Sequence, residues 1–442
     1  MALDFLKKQT NQNTEPQKEE NPFLVDMDAL RHDVEHRNDE IELPDHEARE
    51  VEIGSGVEAA KRSVFSAEKA KKLINKKKKT VMGGIDIPFT MLVLILMSVG
   101  YVMMFSASYS AAYYKYGDPY YFIESQGIYA IAGIAIMFVV SNIPYQFYSR
   151  FDTISIIVSL VLLILVLFIG ETYNNATRWF SFFGLFTVQP SEIAKVAVIV
   201  AFSSYCVKMR DKMKTFRWGI VPFLFILGVF AVLLLREPHL SATVIIFLTG
   251  IVIIYLGGAH FGKLAILGAI GAVAAYILVF KIGYGMDRIN AWLDPESVAS
   301  TDGFQILQSL YAIGSGGLWG LGLGQSRQKH MFLPEPYNDF IFSIVCEELG
   351  FIGAVAIMIL FAALIVRGYM IAMRARDRFG TLLVSGIVTQ IAVQTIFNIG
   401  VVTGLFPVTG ASLPFFSSGG TSLLILFGEL GIVLAVSRQA RK

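Results

Sequence analysis

Cysteine is nearly absent, with two residues in 442, Cys206 and Cys346, each in or beside an apolar run. That excludes a disulfide framework and any metal site built on a cysteine cluster. The six histidines are scattered, and none has zinc-ligand spacing. Charge is sparse: 16% of residues are charged against 54% hydrophobic, with a mean hydropathy of +0.57. Such a balance excludes a soluble enzyme and points to a polytopic membrane protein. The net charge of +2 gives no electrostatic reason for a nucleic-acid partner, and none is expected. No strand and no Gly-Lys-Ser/Thr flank the glycines at 314, 316, 317, 320, 322 and 324, so they read as an interfacial turn and not as a phosphate loop. No organic cofactor is expected. The first apolar run begins near Ile87, so no cleavable leader is expected and the first span acts as an uncleaved anchor.

What is present falls into two parts. Residues 1–80 are rich in Asn, Gln, Asp, Glu and Lys, and such a segment buries too little apolar surface to offset its ordering entropy. They read as a disordered cytoplasmic tail. It ends in a polybasic run at 69–79 that sets topology under the positive-inside rule and lies close enough to the membrane to meet anionic lipids. Residues 81–442 form the transmembrane domain. Apolar runs near 87–108, 126–143, 152–170, 190–208, 218–235, 240–257, 262–281, 338–366, 379–402 and 419–437 predict an all-α polytopic fold of about ten transmembrane helices. Basic residues in 208–217, 374–378 and 438–442 place both termini in the cytoplasm. Residues 282–337 become one long extracytoplasmic loop between helices 7 and 8, with near-helical apolar spacing over 303–320 that suggests a helix lying in or near the interface.

Four stretches combine polar and ionisable groups with membrane boundaries. In 177–199, Arg178 and Trp179 precede a helix opening with Gln189, Pro190, Ser191 and Glu192. Lys195 follows Glu192 by three and shares its face, so the two can pair. In 236–243, Arg236, Glu237 and His239 read as ordinary interfacial polar residues. In 407–424, two prolines, Ser417, Ser418, Gly419 and Gly420 interrupt what should be helix, which predicts a cavity wall. In 314–353, Arg327, Lys329, Glu335 and Asp339 precede a helix carrying Glu347 and Glu348. Asp339 either caps that helix or faces a functional cavity, and Glu347 falls on the same side.

Taken together, RW at 178–179, QPSE..K at 189–195, the stretch 303–353 and PVTGASLPFFSSGGTSLL at 407–424 resemble the SEDS family of shape, elongation, division and sporulation proteins, nearest its FtsW-like division branch. The resemblance implies a peptidoglycan glycosyltransferase in the bacterial cytoplasmic membrane. Such an enzyme polymerises lipid II into glycan strands on the extracytoplasmic side, alongside a class B penicillin-binding transpeptidase, other division proteins and membrane lipids. It places the family's essential aspartate on Asp339. Where many relatives carry His-Thr before that aspartate, this chain has Tyr337 and Asn338.

An inverting transfer from a lipid pyrophosphate needs a base at the acceptor hydroxyl and positive charge at the leaving group. Asp339 is the expected base, and also a possible ligand of a divalent cation, Mg or Mn. Arg178, Lys195 and Lys329 are the expected pyrophosphate contacts, with Trp179, Gln189, Ser191, Glu192, Glu335, Ser417, Ser418 and Gly419 completing the substrate site. On the residues alone, a transporter of the lipid-linked precursor and a scaffold that only recruits a transpeptidase stay open.

Overall fold

The computed structural model describes residues 83–173, 176–182, 186–281, 285–298 and 302–440; the charged tail and its basic run lie outside them. The elements are α1 (Ile87–Tyr116), α2 (Tyr121–Ser141), α3 (Asp152–Ile169), β1 (Glu171–Tyr173), β2 (Ala176–Phe182), β3 (Phe186–Val188), α4 (Pro190–Lys208), α5 (Phe216–Arg236), α6 (Leu240–Leu256), α7 (Phe261–Tyr276), α8 (Met286–Leu293), α9 (Asp302–Gly316), α10 (Ile341–Met373), α11 (Arg378–Val402) and α12 (Gly420–Ser437). Among the described residues, eight helices are long and apolar enough to cross a membrane, namely α1 to α5 and α10 to α12, while α6 and α7 are apolar but shorter. The protein is thus a mostly helical, polytopic membrane protein.

One departure from the all-α expectation lies between α3 and α4. There β1, β2 and β3 form an antiparallel sheet in chain order, with Glu171 opposite Trp179 and Phe180 opposite Val188. Aromatic and β-branched residues such as Thr177, Trp179 and Phe180 suit a pleated ribbon, and pairing satisfies main-chain groups that a bare loop would leave to water.

Helix ends follow their sequences. The Asp86 side chain accepts from the Phe89 amide at 3.0 Å and caps α1, while Arg367 of α10 donates to both its oxygens at 2.9 and 2.8 Å. That fork clamps the start of α1 to the far end of α10. α2 lies along α12, α3 on α4, α10 against α1, α9 and α11, and α6 against both α4 and α11. α4 and α11 are the most buried spans, and small residues of α4 such as Ala194, Ala197 and Ala201 let neighbouring backbones close in. Bulky apolar side chains left exposed on the outer helices, Phe168, Phe225 and Ile359 among them, suit hydrocarbon as a solvent.

α10 is broken at Gly350, whose φ of 67° and ψ of −171° leave the helical region. The glycine-rich turn docks main chain to main chain onto this break. Leu321 and Gly322 donate to the carbonyls of Glu347 and Glu348 at 2.9 and 3.0 Å, and Phe351 and Ile352 donate to Gly317 and Leu318 at 2.9 and 3.2 Å. A Cβ at Gly320 or Gly350 would run into the opposing backbone, so glycine is required on both sides of the joint.

Candidate active site

A cavity of about 880 Å³ opens among the elements around α4, α11 and the approach to α12. Residues 408–415 and 417–420, non-helical as far as Gly419, form one wall, which agrees with the wall expected there. β2 supplies Arg178 and Trp179, the start of α4 supplies Gln189, Glu192 and Lys195, and the segment before α10 supplies Glu335, Tyr337, Asn338 and Asp339. Ser417, Ser418 and Gly419 face the same space.

Asp339 is half-buried and turned to the cavity. Phe340 is the N-cap residue of α10 and the helix has no side-chain cap, so Asp339 is not its cap. Its position is set from behind: the Asn398 amide donates to the carbonyls of both Asp339 and Ala411 at 2.7 Å. The Ser417 hydroxyl donates to the Asn338 carbonyl at 2.8 Å, and the Ser418 amide to the Tyr337 carbonyl at 2.9 Å. These bonds stitch the approach to α10 onto the approach to α12. Gly410, at φ 73°, stands where an added Cβ would lie 3.1 Å from Asp339 Oδ2.

Burial pushes the Asp339 carboxyl up to about 6, the negative charge of Glu335 adds to the rise, and Arg178 and Arg288 pull against it. Burial therefore prevails over the cations. His239 is held well below its ordinary value, first by burial and then by Arg178, Lys195 and Arg288, so its imidazole is neutral. Glu237 is buried with neither carboxyl oxygen hydrogen-bonded, and burial pushes it up to about 8 against the pull of Arg178.

The expected cations divide. Arg178 lines the cavity and is anchored by the turn before α6, its Nε donating to the Glu237 carbonyl at 3.1 Å and its Nη2 to the Pro238 carbonyl. Lys195 lines it too, paired with Glu192 at 2.8 Å and donating to Gln394 at 3.2 Å. Lys329 does not line it: it is buried elsewhere, bonded to Glu348 at 2.9 Å, Ser106 at 3.0 Å and the Gly324 carbonyl at 2.7 Å. A cation there balances a carboxylate sealed from water, which is a structural task. Ser191 is fully buried and off the cavity. Glu347, placed by spacing on the side of Asp339, instead receives the Ser326 hydroxyl and the Arg327 amide.

A family model described as cell cycle protein, spanning FtsW, RodA and SpoVE, matches residues 87–442. The chain belongs to this family. It is 40% identical over 358 residues to stage V sporulation protein E of Bacillus subtilis, covering 80% of this chain and 98% of the relative. It is 40% identical over 360 residues to the probable peptidoglycan glycosyltransferase FtsW of Geobacter metallireducens, covering 79% and 95%. Among solved structures, it is similar at 27% identity and a TM-score of 0.67 to a chain from work titled "Structural coordination of polymerization and crosslinking by a peptidoglycan synthase complex", covering 80% and 98%. The Thermus thermophilus rod shape determining protein RodA is similar at 26% identity and a TM-score of 0.60, covering 81% and 98%.

Within this family fold, several cavity residues escaped the sequence reading. His239 and Ser241 face the cavity, although 236–243 read as interfacial filler. Arg288 brings a further cation from α8. Gln390 and Gln394 of α11 line the cavity and Asn398 holds its floor. The signal for these three was available: amides at 390, 394 and 398 recur every four residues in an apolar span, which puts them on one helix face. Gln390 donates at 2.9 Å to both oxygens of Glu429, a cavity residue of α12. Among the described residues no three His, Cys, Asp or Glu side chains converge to hold a metal.

Proposed function

We propose that this chain is a peptidoglycan glycosyltransferase that polymerises lipid II into β-1,4-linked glycan strands at the outer face of the bacterial cytoplasmic membrane during cell division, releasing undecaprenyl pyrophosphate. The observation that carries the reading is a half-buried carboxylate, Asp339, facing one cavity together with Arg178 and Arg288. A carboxylate held near 6 is ionised at neutral pH yet basic enough to accept a proton. In the transfer, the acceptor's 4-hydroxyl oxygen bonds to the donor's anomeric carbon and its proton passes to Asp339. The bond from that carbon to the pyrophosphate breaks, and its electron pair leaves with the phosphate oxygen. Arg178 is fixed in place beforehand, so its guanidinium meets the developing charge without reorganising. The serine hydroxyls and side-chain amides around the cavity suit sugar hydroxyls and acetamido groups. Mg or Mn would enter with the substrate's phosphates, since hard cations are commonly held by one or two carboxylates plus phosphate oxygens; no step above depends on it.

The orientation proposed is ten crossings, counting α6 and α7, with both termini cytoplasmic and the 282–337 segment outside. A class B transpeptidase is the proposed partner, in line with the named synthase complex. The test is polymerisation of purified lipid II: the wild type makes glycan, and Asp339→Asn, still folded and inserted, makes none. Polymerisation by Asp339→Asn at the wild-type rate removes Asp339 from the chemistry. Labelled lipid II crossing vesicles with no glycan made replaces the enzyme with a transporter.

A further inference from the structure

α1 is longer than a bilayer needs. Its 30 residues rise about 45 Å, against about 30 Å of hydrocarbon, and its start is clamped at Asp86 by Arg367. Even with a tilt of about 20°, the last two turns stand at or beyond the headgroups on the cavity side. That overshoot is unusually aromatic. Tyr113, Tyr114, Tyr116, Tyr120 and Tyr121 are all exposed, and they follow one another across the turn into α2. Tyr116 and Tyr121 stack at 3.9 Å, and Tyr116 meets Phe122 edge-on at 5.7 Å. Phe122 packs on Tyr337 at 4.5 Å, two residues before Asp339. Tyr116, Phe122 and Tyr337 line the cavity. An unbroken run of rings therefore leads from the exposed surface of the molecule to the segment that carries Asp339.

An interfacial aromatic belt anchors a helix at headgroup level, but it has no reason to continue into a polar cavity. What does span both settings is a polymer that leaves the cavity by this mouth. Pyranose rings present C–H faces that match the negative face of an aromatic ring, and their hydroxyls stay in water beside tyrosine hydroxyls. Resting on the function proposed above, we infer that the Tyr116–Tyr121 shelf is a saccharide-binding subsite that holds the uncharged sugar backbone of the glycan strand as it leaves the cavity. The shelf acts on retention, so it governs how many sugars are added before release and leaves the chemical step alone.

The test compares wild type with Tyr116→Ala/Tyr121→Ala and with Tyr116→Phe/Tyr121→Phe, in detergent with purified lipid II and, separately, with chitohexaose as the free saccharide probe. The alanine pair is expected to make strands shortened several-fold and to bind chitohexaose about tenfold more weakly; the phenylalanine pair keeps the rings and stays near wild type in both. Unchanged strand length and unchanged chitohexaose binding in the alanine pair overturn the inference. So does loss of a co-purifying transpeptidase, or of vesicle insertion, with chitohexaose binding intact, since the shelf would then be a protein or lipid contact. If the wild type makes no glycan, the proposed function fails first, and that result is distinct because it precedes any variant.

Discussion

Asp339 takes its setting from residues that the linear sequence scatters. Its elevated pKa sets a sign: the carboxyl accepts a proton only when ionised, so polymerisation falls as pH drops through about 6 and levels off above it. Glu335 raises that value through its charge, so Glu335→Gln, which keeps an oxygen for Asn338, shifts the acidic inflection of kcat/KM to lower pH. An inflection unmoved by this change would show that Glu335 does not act on the base. Gly410 allows a second test. An alanine there is strained at φ 73° and meets Asp339 Oδ2 at 3.1 Å. Gly410→Ala should cost about 1 kcal/mol of stability yet lower the polymerisation rate more than about tenfold, because a small misplacement of a reacting group is amplified in rate. Asp339 and Arg178 were legible from their place at membrane boundaries and from family likeness. His239 and Arg288 were not, because their relevance lies in which elements meet around the cavity, and a lone polar residue does not state its partner. Lys329 shows the converse: position alone made it a candidate phosphate contact, and only the burial of Glu348 beside it explains its charge.

Among elements, α10 and the turn that docks on its break deserve to be treated as one unit. Glu348 receives Lys329 at 2.9 Å and Ser106 at 2.7 and 2.8 Å, all three side chains buried. Removing one partner strands the other charge away from water, so Lys329→Met should lower stability by about 3–5 kcal/mol, read as a fall in thermal midpoint in detergent. Replacing both, with Lys329→Met and Glu348→Leu, should recover much of that loss; a double variant no better than the single would mean that the pair is not the source. Helix positions followed well from apolar runs, with α4 at Pro190–Lys208 as expected from 190–208. The sheet was missed because its strands are short, and an aromatic run of this length in a membrane chain reads equally as interfacial loop. The break at Gly350 was invisible for another reason: a helix and a broken helix share the same apolar pattern, and only the glycines facing it across the joint distinguish them.

On the scale of the whole molecule, the cysteines offer a direct check of topology. Cys206 and Cys346 are both buried, so the wild type should be almost silent to a membrane-impermeant maleimide in sealed right-side-out vesicles. Asp118→Cys, at an exposed turn after α1, should label from outside, and Asp211→Cys, exposed after α4, only after permeabilisation. Labelling of both from one side would overturn the proposed orientation. Family membership and the helical membrane class were readable at this scale because composition and motif order are global properties. Of the cavity only the wall at 407–424 was readable, since the rest arises where α4, α11 and the approach to α12 converge, and no single segment encodes that meeting.

The joint between the glycine turn and α10 has one more consequence, for how freely the outer surface can vary. The hydrogen bonds across the break at Gly350 run between main chains, and the side chains that add to the fastening, Lys329 on Glu348 and Ser326 on Glu347, are buried beneath the turn. Leu318, Trp319, Leu321 and Leu323 are exposed on the turn and can be exchanged without unseating it. The fold thereby uncouples the fastening of this turn from its outward face: lineages can rewrite the face they show to neighbours while the backbone beneath, and the segment leading to Asp339, stays in place.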